Sequence, residues 1–171
     1  MIRDYFDWLW ACVFAAGFLT LAALLPSSPQ PRPAADSAWF DTLSLSVQRD
    51  SIVAHAARQA GVPVALAIAV SHTENWTGDS AAISKAGAVG LLQVMPKYWA
   101  HSFEAECGCG DLTIRRLNAC KGVRVLRHYL DSTRTVDAAL RAYNGATKPH
   151  LHAAGDTYVS SVLQRLTLVA Q

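Results

Sequence analysis

The chain has 171 residues, of which 51% are hydrophobic and 16% are charged, and its formal net charge is +2. This length and apolar content suffice for one domain with a core, plus an appendage. The sequence contains no P-loop, Rossmann glycine motif or HExxH, and its charge is too small to favour nucleic acid as a partner.

Residues 8–25 form an apolar run without a charged side chain. At about 1.5 Å per helical residue this run reaches roughly 27 Å, close to the thickness of a bilayer core. A cleavable signal usually has a shorter apolar region and a more basic start. We therefore predict one transmembrane helix within residues 1–25 that anchors the protein. Small residues at positions 34–38 keep cleavage open as the alternative.

Residues 26–37 follow the apolar run, and four prolines lie between positions 26 and 33. Proline restricts the backbone and favours an extended chain, so this stretch predicts a stiff linker that holds the following domain away from the membrane. The composition changes after the linker, which places a single folded domain at residues 38–171.

Two helices are predicted at the start of this domain. Apolar residues recur at helical spacing from Phe40 to Ala60, with a break near residues 49–51 left open, and Gly61 follows as a C-terminal cap. The next helix, from Pro63 to about Glu74, is apolar on nearly every side, which indicates a central buried helix.

The central helix ends in one carboxylate, Glu74. Burial at this position would favour the neutral form and raise the pKa, which suits a general acid. A solvated residue at the end of a helix is the alternative that the local pattern leaves open. His72 would point away from Glu74 on a helix. We therefore predict a satisfied or solvated histidine, and not a proton relay.

A polar loop at residues 77–80 and a short segment ending at Pro96 separate the central helix from an irregular loop predicted at residues 101–112. Thr113 is then expected to cap a long amphipathic helix. The basic residues of this helix, Lys121 among them, are expected to form a solvated face.

Two further helices are predicted to complete the domain. One runs from about Thr135 to Tyr143 and stops at Asn144-Gly145. The other runs from about Thr157 to Val169, after a loop that contains Gly155. No stretch of useful length alternates apolar and polar residues as a strand does. The predicted fold class is therefore all-α.

Four cysteines are present, of which Cys12 lies in the apolar run. In an exported domain the other three favour one disulfide, between Cys120 and either Cys107 or Cys109. A metal site made of these three cysteines and His128 is the rival, but the C-x-C spacing fits zinc ligands poorly. We predict no metal.

Five sequence blocks of this domain match a known pattern in the same order. They are Glu74 after its apolar helix, 84–96 (SKAGAVGLLQVMP), 118–122 (NACKG), 142–144 (AYN) and 158–162 (YVSSV). Through these blocks the chain resembles, from about Asp50 to Arg165, the catalytic domain of lytic transglycosylases of the soluble-transglycosylase (SLT) type. The resemblance implies a lysozyme-like helical fold of the SLT or goose-lysozyme type, and the small enzymes attached to secretion, conjugation, pilus or phage machinery look most similar.

The resemblance also implies a reaction. Lytic transglycosylases cleave the β-1,4 bond between N-acetylmuramic acid and N-acetylglucosamine in peptidoglycan, and they form a 1,6-anhydro ring without adding water. Glu74 would be the single general acid and base, and no cofactor is needed. The other residues that the resemblance assigns to substrate binding are Ser84, Gln93, Met95, Tyr143 and Asn144.

By resemblance, Gln93 and Met95 would line the cleft, and Ser84 would contact the sugar. Tyr143 would hydrogen-bond near the catalytic carboxylate, and Asn144 would orient the substrate or its loop. Structural roles are the alternatives: Gln93 can cap a helix and Met95 can fill the core. Tyr143 can likewise be a packed core aromatic, and Asn144 can stop a helix.

The chain departs from the family pattern at Asn75, where a serine usually follows the catalytic Glu. A goose-type-like muramidase is one alternative function, and it would need a second acid about 5–9.5 Å away. Asp79 is the candidate nearby in the sequence, although a turn or capping role suits it better. A non-catalytic peptidoglycan-binding module is the other alternative, and Asn75 is the only hint of it.

Peptidoglycan lies outside the inner membrane, so the anchor should place the catalytic domain in the periplasm, or the domain is exported if the segment is cleaved. The expected partners are glycan strands, the inner membrane through residues 8–25, and components of a secretion, conjugation, pilus or phage apparatus. No nucleic acid partner is expected. The predicted role is the local opening of the wall for such an apparatus.

Overall fold

In a computed structural model of the protein, residues 44–170 are described. The helices are α1 (Leu45–Ala60), α2 (Val64–Glu74), α3 (Pro96–Trp99), α4 (Glu104–Cys107), α5 (Arg115–Ser132), α6 (Val136–Tyr143) and α7 (His152–Val169), with a 3-10 turn at Pro149–Leu151. Across these residues the only β-structure is a pair of isolated bridges that join Val89 to Ile83 and to Val94. The all-α class is thereby confirmed for the described part of the chain.

The predicted anchor at residues 1–25, the linker at 26–37 and the start of the domain at 38 lie outside the described residues and stay predictions. Within residues 44–170, none of the helices combines the length and the apolar character needed to cross a membrane.

α2 is the central helix, as its apolar sequence predicts. It packs against α7 and α1, while α5 packs against α1 and α6. Ala67, Ala69 and Val70 of α2 are completely buried, together with Val53 of α1 and Val123 of α5. This packing carries the last residue of α2 to the contact with α7.

The ends of α1 follow from local chemistry. The Ser44 side chain accepts the Val47 N–H, and Gly61 closes the helix with a left-handed φ of 66°, which confirms the predicted cap. α1 is continuous through residues 49–51, where the sequence left a break open. Arg49 in this stretch is buried, with 1% of its surface exposed, and its guanidinium forms hydrogen bonds inside the domain.

The cap predicted at Thr113 is wrong. Ile114 is the N-cap residue of α5 and makes no side-chain cap. The Thr113 N–H instead donates to the Asp111 carboxylate at 2.8 Å. The aspartate closes the turn before the helix, because its side chain reaches the N–H two residues further along.

The solvated face predicted around Lys121 is also wrong, since this side chain is completely buried. Its ammonium group donates to the carbonyl oxygens of Ala100 and Ser102, at 2.5 and 2.8 Å. A buried cation needs such partners, and here they tie the chain after α3 to the middle of α5. The irregular loop predicted at residues 101–112 contains one helical turn, α4.

α7 begins at His152, well before the start predicted near Thr157. Gly155, expected in a loop, therefore lies inside the helix. A Cβ at this position would stand 2.8 Å from the Cβ of Ala146. The glycine allows close packing of α7 on the segment after α6, and no turn requires it.

One disulfide links Cys107 of α4 to Cys120 of α5, which selects one of the two pairings that the sequence left open. Cys109 lies outside the bridge, and its side chain hydrogen-bonds to Glu104. The metal alternative is not supported, because two of its four proposed ligands, Cys107 and Cys120, are joined in the disulfide. The ring of His128, its fourth ligand, packs edge-on against Trp99.

The block at residues 84–96 is held on α5 by Asn118, which is completely buried. Its side-chain oxygen accepts the Leu92 N–H at 2.9 Å, and its side-chain nitrogen donates to the carbonyls of Val89 and Leu112 at 2.8 and 2.9 Å. Gly122, one turn further along α5, has no Cβ to collide with that of Leu92. The N-x-x-x-G pattern is therefore a docking surface for this block.

We predict that Asn118→Ala destabilises the fold by about 3 kcal/mol, because three buried backbone groups lose their partner. Thermal unfolding of the full chain in detergent, followed by circular dichroism, should show a fall in Tm of roughly 10 °C. Gln164→Ala, at an exposed position of α7, is the matched control. An equal Tm for the two variants would contradict this account of Asn118.

Candidate active site

Glu74 is the last residue of α2, and Asn75 ends the helix behind it. The Asn75 side chain is buried and uses all its hydrogen-bonding capacity on the following loop. Its nitrogen donates to the carbonyls of Asp79 and Gly90, at 2.6 and 3.1 Å, and its oxygen accepts from Thr77 and Gly78, at 2.8 and 3.1 Å. Asn75 thus has a structural role at the position where the family usually has a serine.

The Glu74 carboxylate is half-buried and has one hydrogen-bond donor, the Tyr158 hydroxyl, at 2.6 Å from Oε1. Burial raises the pKa of Glu74 from 4.5 to about 7, and the Tyr158 hydrogen bond opposes that rise. A carboxyl group with such a pKa can both give and take a proton near neutral pH. This environment does not fit a solvated helix-end residue.

Tyr158 is a site residue that the sequence did not single out. It is the first residue of the YVSSV block, so the sequence identified its position in the family pattern but assigned it no function. In the structure α7 brings it to Glu74, from which it is 84 positions away in the chain. Burial, and then the nearby Glu74 charge, raise the pKa of Tyr158 well above its usual range. It stays a neutral donor.

Tyr143, at the end of α6, lies close to the same carboxylate. Its hydroxyl donates to the Leu92 carbonyl at 2.7 Å, and not to Glu74. Burial raises the pKa of Tyr143 well above its usual range, and the Glu74 charge raises it further. Tyr143 thus joins α6 to the residue that precedes Gln93.

Gln93 and Met95 line a small cavity of about 30 Å³ whose wall also includes Tyr143. Gln93 has a φ of 45°, which is unusual for a residue other than glycine and is a feature that clusters at functional sites. Its amide nitrogen donates to the Gly90 carbonyl at 2.9 Å. The same nitrogen also donates to the Ala82 carbonyl at 3.4 Å, and the two bonds stabilise the turn.

Ser84, Asn144 and Asp79 are exposed and do not hydrogen-bond to Glu74 in the described part of the chain. The Ser84 hydroxyl accepts the Ala88 N–H at 3.0 Å. Asn144 caps α6, as the helix stop predicts. Asp79 accepts the Ala81 N–H at 2.9 Å, which confirms its turn role.

A network behind Glu74 holds the end of α2. The Arg49 guanidinium donates to the carbonyls of Asn75 and Trp76, at 2.9 and 2.8 Å, and to the Asp50 carboxylate at 2.7 Å. Asp50 also bonds His72 at 2.9 Å, which confirms that His72 is a satisfied histidine. Burial raises the pKa of Asp50, but the hydrogen bonds from His72 and Arg49 outweigh it and hold this pKa below its usual value.

A larger cleft of about 480 Å³ lies between α1, α4 and α5, and the Cys107–Cys120 disulfide forms part of its wall. None of the candidate residues lines this cleft. Its size alone does not make it the active site, because the one carboxyl group in its lining, Glu106, is exposed.

A family model described as "Transglycosylase SLT domain" matches residues 51–161, a range that includes Glu74, Tyr158 and the other candidate residues. No curated protein and no solved structure shows a significant match.

We predict that Tyr158→Phe raises the pKa of Glu74 above its value of about 7, because the carboxylate loses a hydrogen bond that favours the charged form. Titration of ¹³C-labelled glutamate by NMR measures this pKa, and Glu74→Gln assigns the resonance. Tyr143→Phe is the matched control, since that hydroxyl bonds Leu92. A Glu74 pKa in Tyr158→Phe equal to or below that of wild type would refute the tuning role.

The raised pKa of Glu74 also predicts how stability depends on pH. The folded chain holds this proton more tightly than the unfolded chain, so the contribution to stability is full below pH 4.5 and is lost as pH rises to about 7. Glu74→Gln should therefore unfold near the wild-type Tm at pH 4.5 and should be more stable at pH 8, by up to roughly 3 kcal/mol. Equal Tm values at pH 8 would show that the carboxylate is well solvated.

Proposed function

Because the chain belongs to the transglycosylase SLT domain family, we propose that it is a peptidoglycan lytic transglycosylase in which Glu74 is the single general acid and base. Family membership supports lytic transglycosylase activity on peptidoglycan in general. The observation that supports Glu74 is its half-buried carboxyl group, whose pKa is raised to about 7. The proposal includes a lysozyme-like arrangement of the helices.

In the first step, protonated Glu74 donates its proton to the glycosidic oxygen while the bond from that oxygen to C1 of N-acetylmuramic acid breaks. The N-acetylglucosamine side leaves with this proton. In the second step, the Glu74 carboxylate takes the proton of the muramoyl 6-hydroxyl as its oxygen bonds to C1. The 1,6-anhydro ring results, no water is consumed, and Glu74 is protonated again.

One group must serve as acid and then as base, so a pKa near the working pH is an advantage. Tyr158 occupies Oε1 of Glu74 and leaves the second oxygen for the substrate. The tyrosine also stabilises the carboxylate that forms when the proton leaves. Tyr158 is therefore proposed as a positioning residue for both steps.

We assign the substrate-binding surface to five residues, of which Tyr143 lies near this carboxylate. Gln93, Met95 and Tyr143 share one small cavity and would form a wall of the cleft. Ser84 and Asn144 are exposed, so their side chains can reach a sugar. The half-burial of Met95 suits either a wall or core filling, and the cavity favours the wall.

The two alternative functions have less support. A muramidase would need a second carboxylate, and Asp79 is exposed and engaged in a turn. A non-catalytic module was suggested only by Asn75, whose four hydrogen bonds give it a structural explanation.

The setting of the enzyme is also a proposal. Residues 8–25 would anchor it in the inner membrane, with the domain in the periplasm, where it would open the wall locally for a secretion, conjugation, pilus or phage apparatus. A disulfide between Cys107 and Cys120 suits an oxidising compartment of this kind.

We predict that the full chain, purified in detergent, releases anhydro-muropeptides from purified peptidoglycan, and that Glu74→Gln releases none because the variant cannot transfer a proton. Mass analysis of the soluble products measures both. Asp79→Asn is the matched control and should retain wild-type products. Reducing-end products heavier by one water would identify a muramidase instead, and binding without any products would identify a non-catalytic module.

A further inference from the structure

Trp76 follows Glu74 by two residues and exposes 65% of its surface. Single exposed apolar residues are common, so exposure alone would mean little. The exposed residues next to it, Thr77 and Asp79, are polar. What distinguishes Trp76 is that two contacts hold its exposed ring in place.

Two contacts fix this indole. The Arg165 guanidinium lies over the ring, 5.0 Å from its centroid, and the His72 ring meets it edge-on at 5.4 Å. The backbone of Trp76 is held as well, because its carbonyl accepts a hydrogen bond from buried Arg49 at 2.8 Å. A side chain that is already ordered loses less entropy when a ligand packs on it.

α7 relates this ring to the catalytic carboxyl group. Tyr158, which bonds Glu74, and Arg165, which covers Trp76, both belong to α7. Their spacing of about two helical turns puts them on the same stripe of the helix, roughly 10 Å apart. The carboxylate and the indole therefore contact the same face of α7, through Tyr158 and Arg165 respectively.

We propose that Trp76 is a stacking platform for a sugar ring of the glycan strand that reacts at Glu74. The proposal rests on the proposed function and adds a binding position to it. The apolar C–H face of an N-acetylhexosamine packs on the indole face opposite Arg165, and the indole N–H can donate to a hydroxyl or acetamido oxygen.

The first test measures binding without turnover. Full-length Glu74→Gln, purified in detergent, is cosedimented with insoluble peptidoglycan, alone or combined with Trp76→Ala, Trp76→Phe or Leu168→Ala. Trp76→Ala should weaken binding by about 3- to 10-fold, the size of an aromatic stacking contribution, and Trp76→Phe should retain most of it. Leu168 is the matched control because 66% of its surface is exposed. Equal affinity of Trp76→Ala and Leu168→Ala would overturn the platform.

The second test uses chains with Glu74 intact and glycans of increasing length. Trp76→Ala should raise KM on long strands with little change in kcat, and should not affect substrates too short to reach the ring. An equal loss on short and long substrates would overturn the platform, since the ring would then act by positioning Glu74.

The two tests separate this proposal from the proposed function. Binding that depends on Trp76, in a protein that releases no anhydro-muropeptides, would support the platform and refute the transglycosylase. Anhydro-muropeptides released by a protein whose binding does not depend on Trp76 would support the transglycosylase and refute the platform. A wild-type chain that does not bind peptidoglycan would overturn both.

Discussion

The contact between the end of α2 and α7 is the constraint on which the site depends. A carboxyl group must be kept from water there, and must still hold one position. The packing of α2 between α1 and α7 supplies the desolvation that raises the pKa of Glu74, and Tyr158 supplies the one hydrogen bond that fixes Oε1. Without burial and without the Tyr158 hydrogen bond, Glu74 would be an ordinary surface carboxylate. With burial alone, it would be costly to ionise and free to rotate.

Buried polar side chains hold the irregular segments around this contact. Arg49, Asn75, Asn118 and Lys121 are all buried, and each of them donates to backbone carbonyls outside helices. Loops cannot satisfy their own backbone groups as helices do, and an unpaired carbonyl in the interior is expensive. Arg49 and Asn75 therefore contribute rigidity to the loop that follows Glu74, and Asn118 and Lys121 hold segments further along the chain. None of the four needs a part in the chemistry.

Much of the fold could be predicted, because its signals are local. The apolar character of α2, the glycine after α1 and the stop at Asn144-Gly145 depend on neighbours in the chain, and the structure agrees with each. The predictions fail where a residue distant in the sequence determines the environment of a side chain. Lysine is usually solvated, but Lys121 is buried and donates hydrogen bonds to the carbonyls of Ala100 and Ser102. Gly155 looks like a loop residue until Ala146 packs against it.

The sequence by itself determined the helical class, the family and the choice of Glu74, because periodicity and motif blocks are encoded in order along the chain. Only the tertiary structure decided which groups meet that carboxylate. Tyr158 hydrogen-bonds to it, whereas Tyr143 hydrogen-bonds to the Leu92 carbonyl. Both tyrosines lie in the matched sequence blocks, but a sequence block does not show which group a side chain will contact. The choice of Cys107 over Cys109 has the same origin. Hydrogen bonds and disulfides join atoms that are distant in the sequence, and their geometry exists only after the helices have packed against one another.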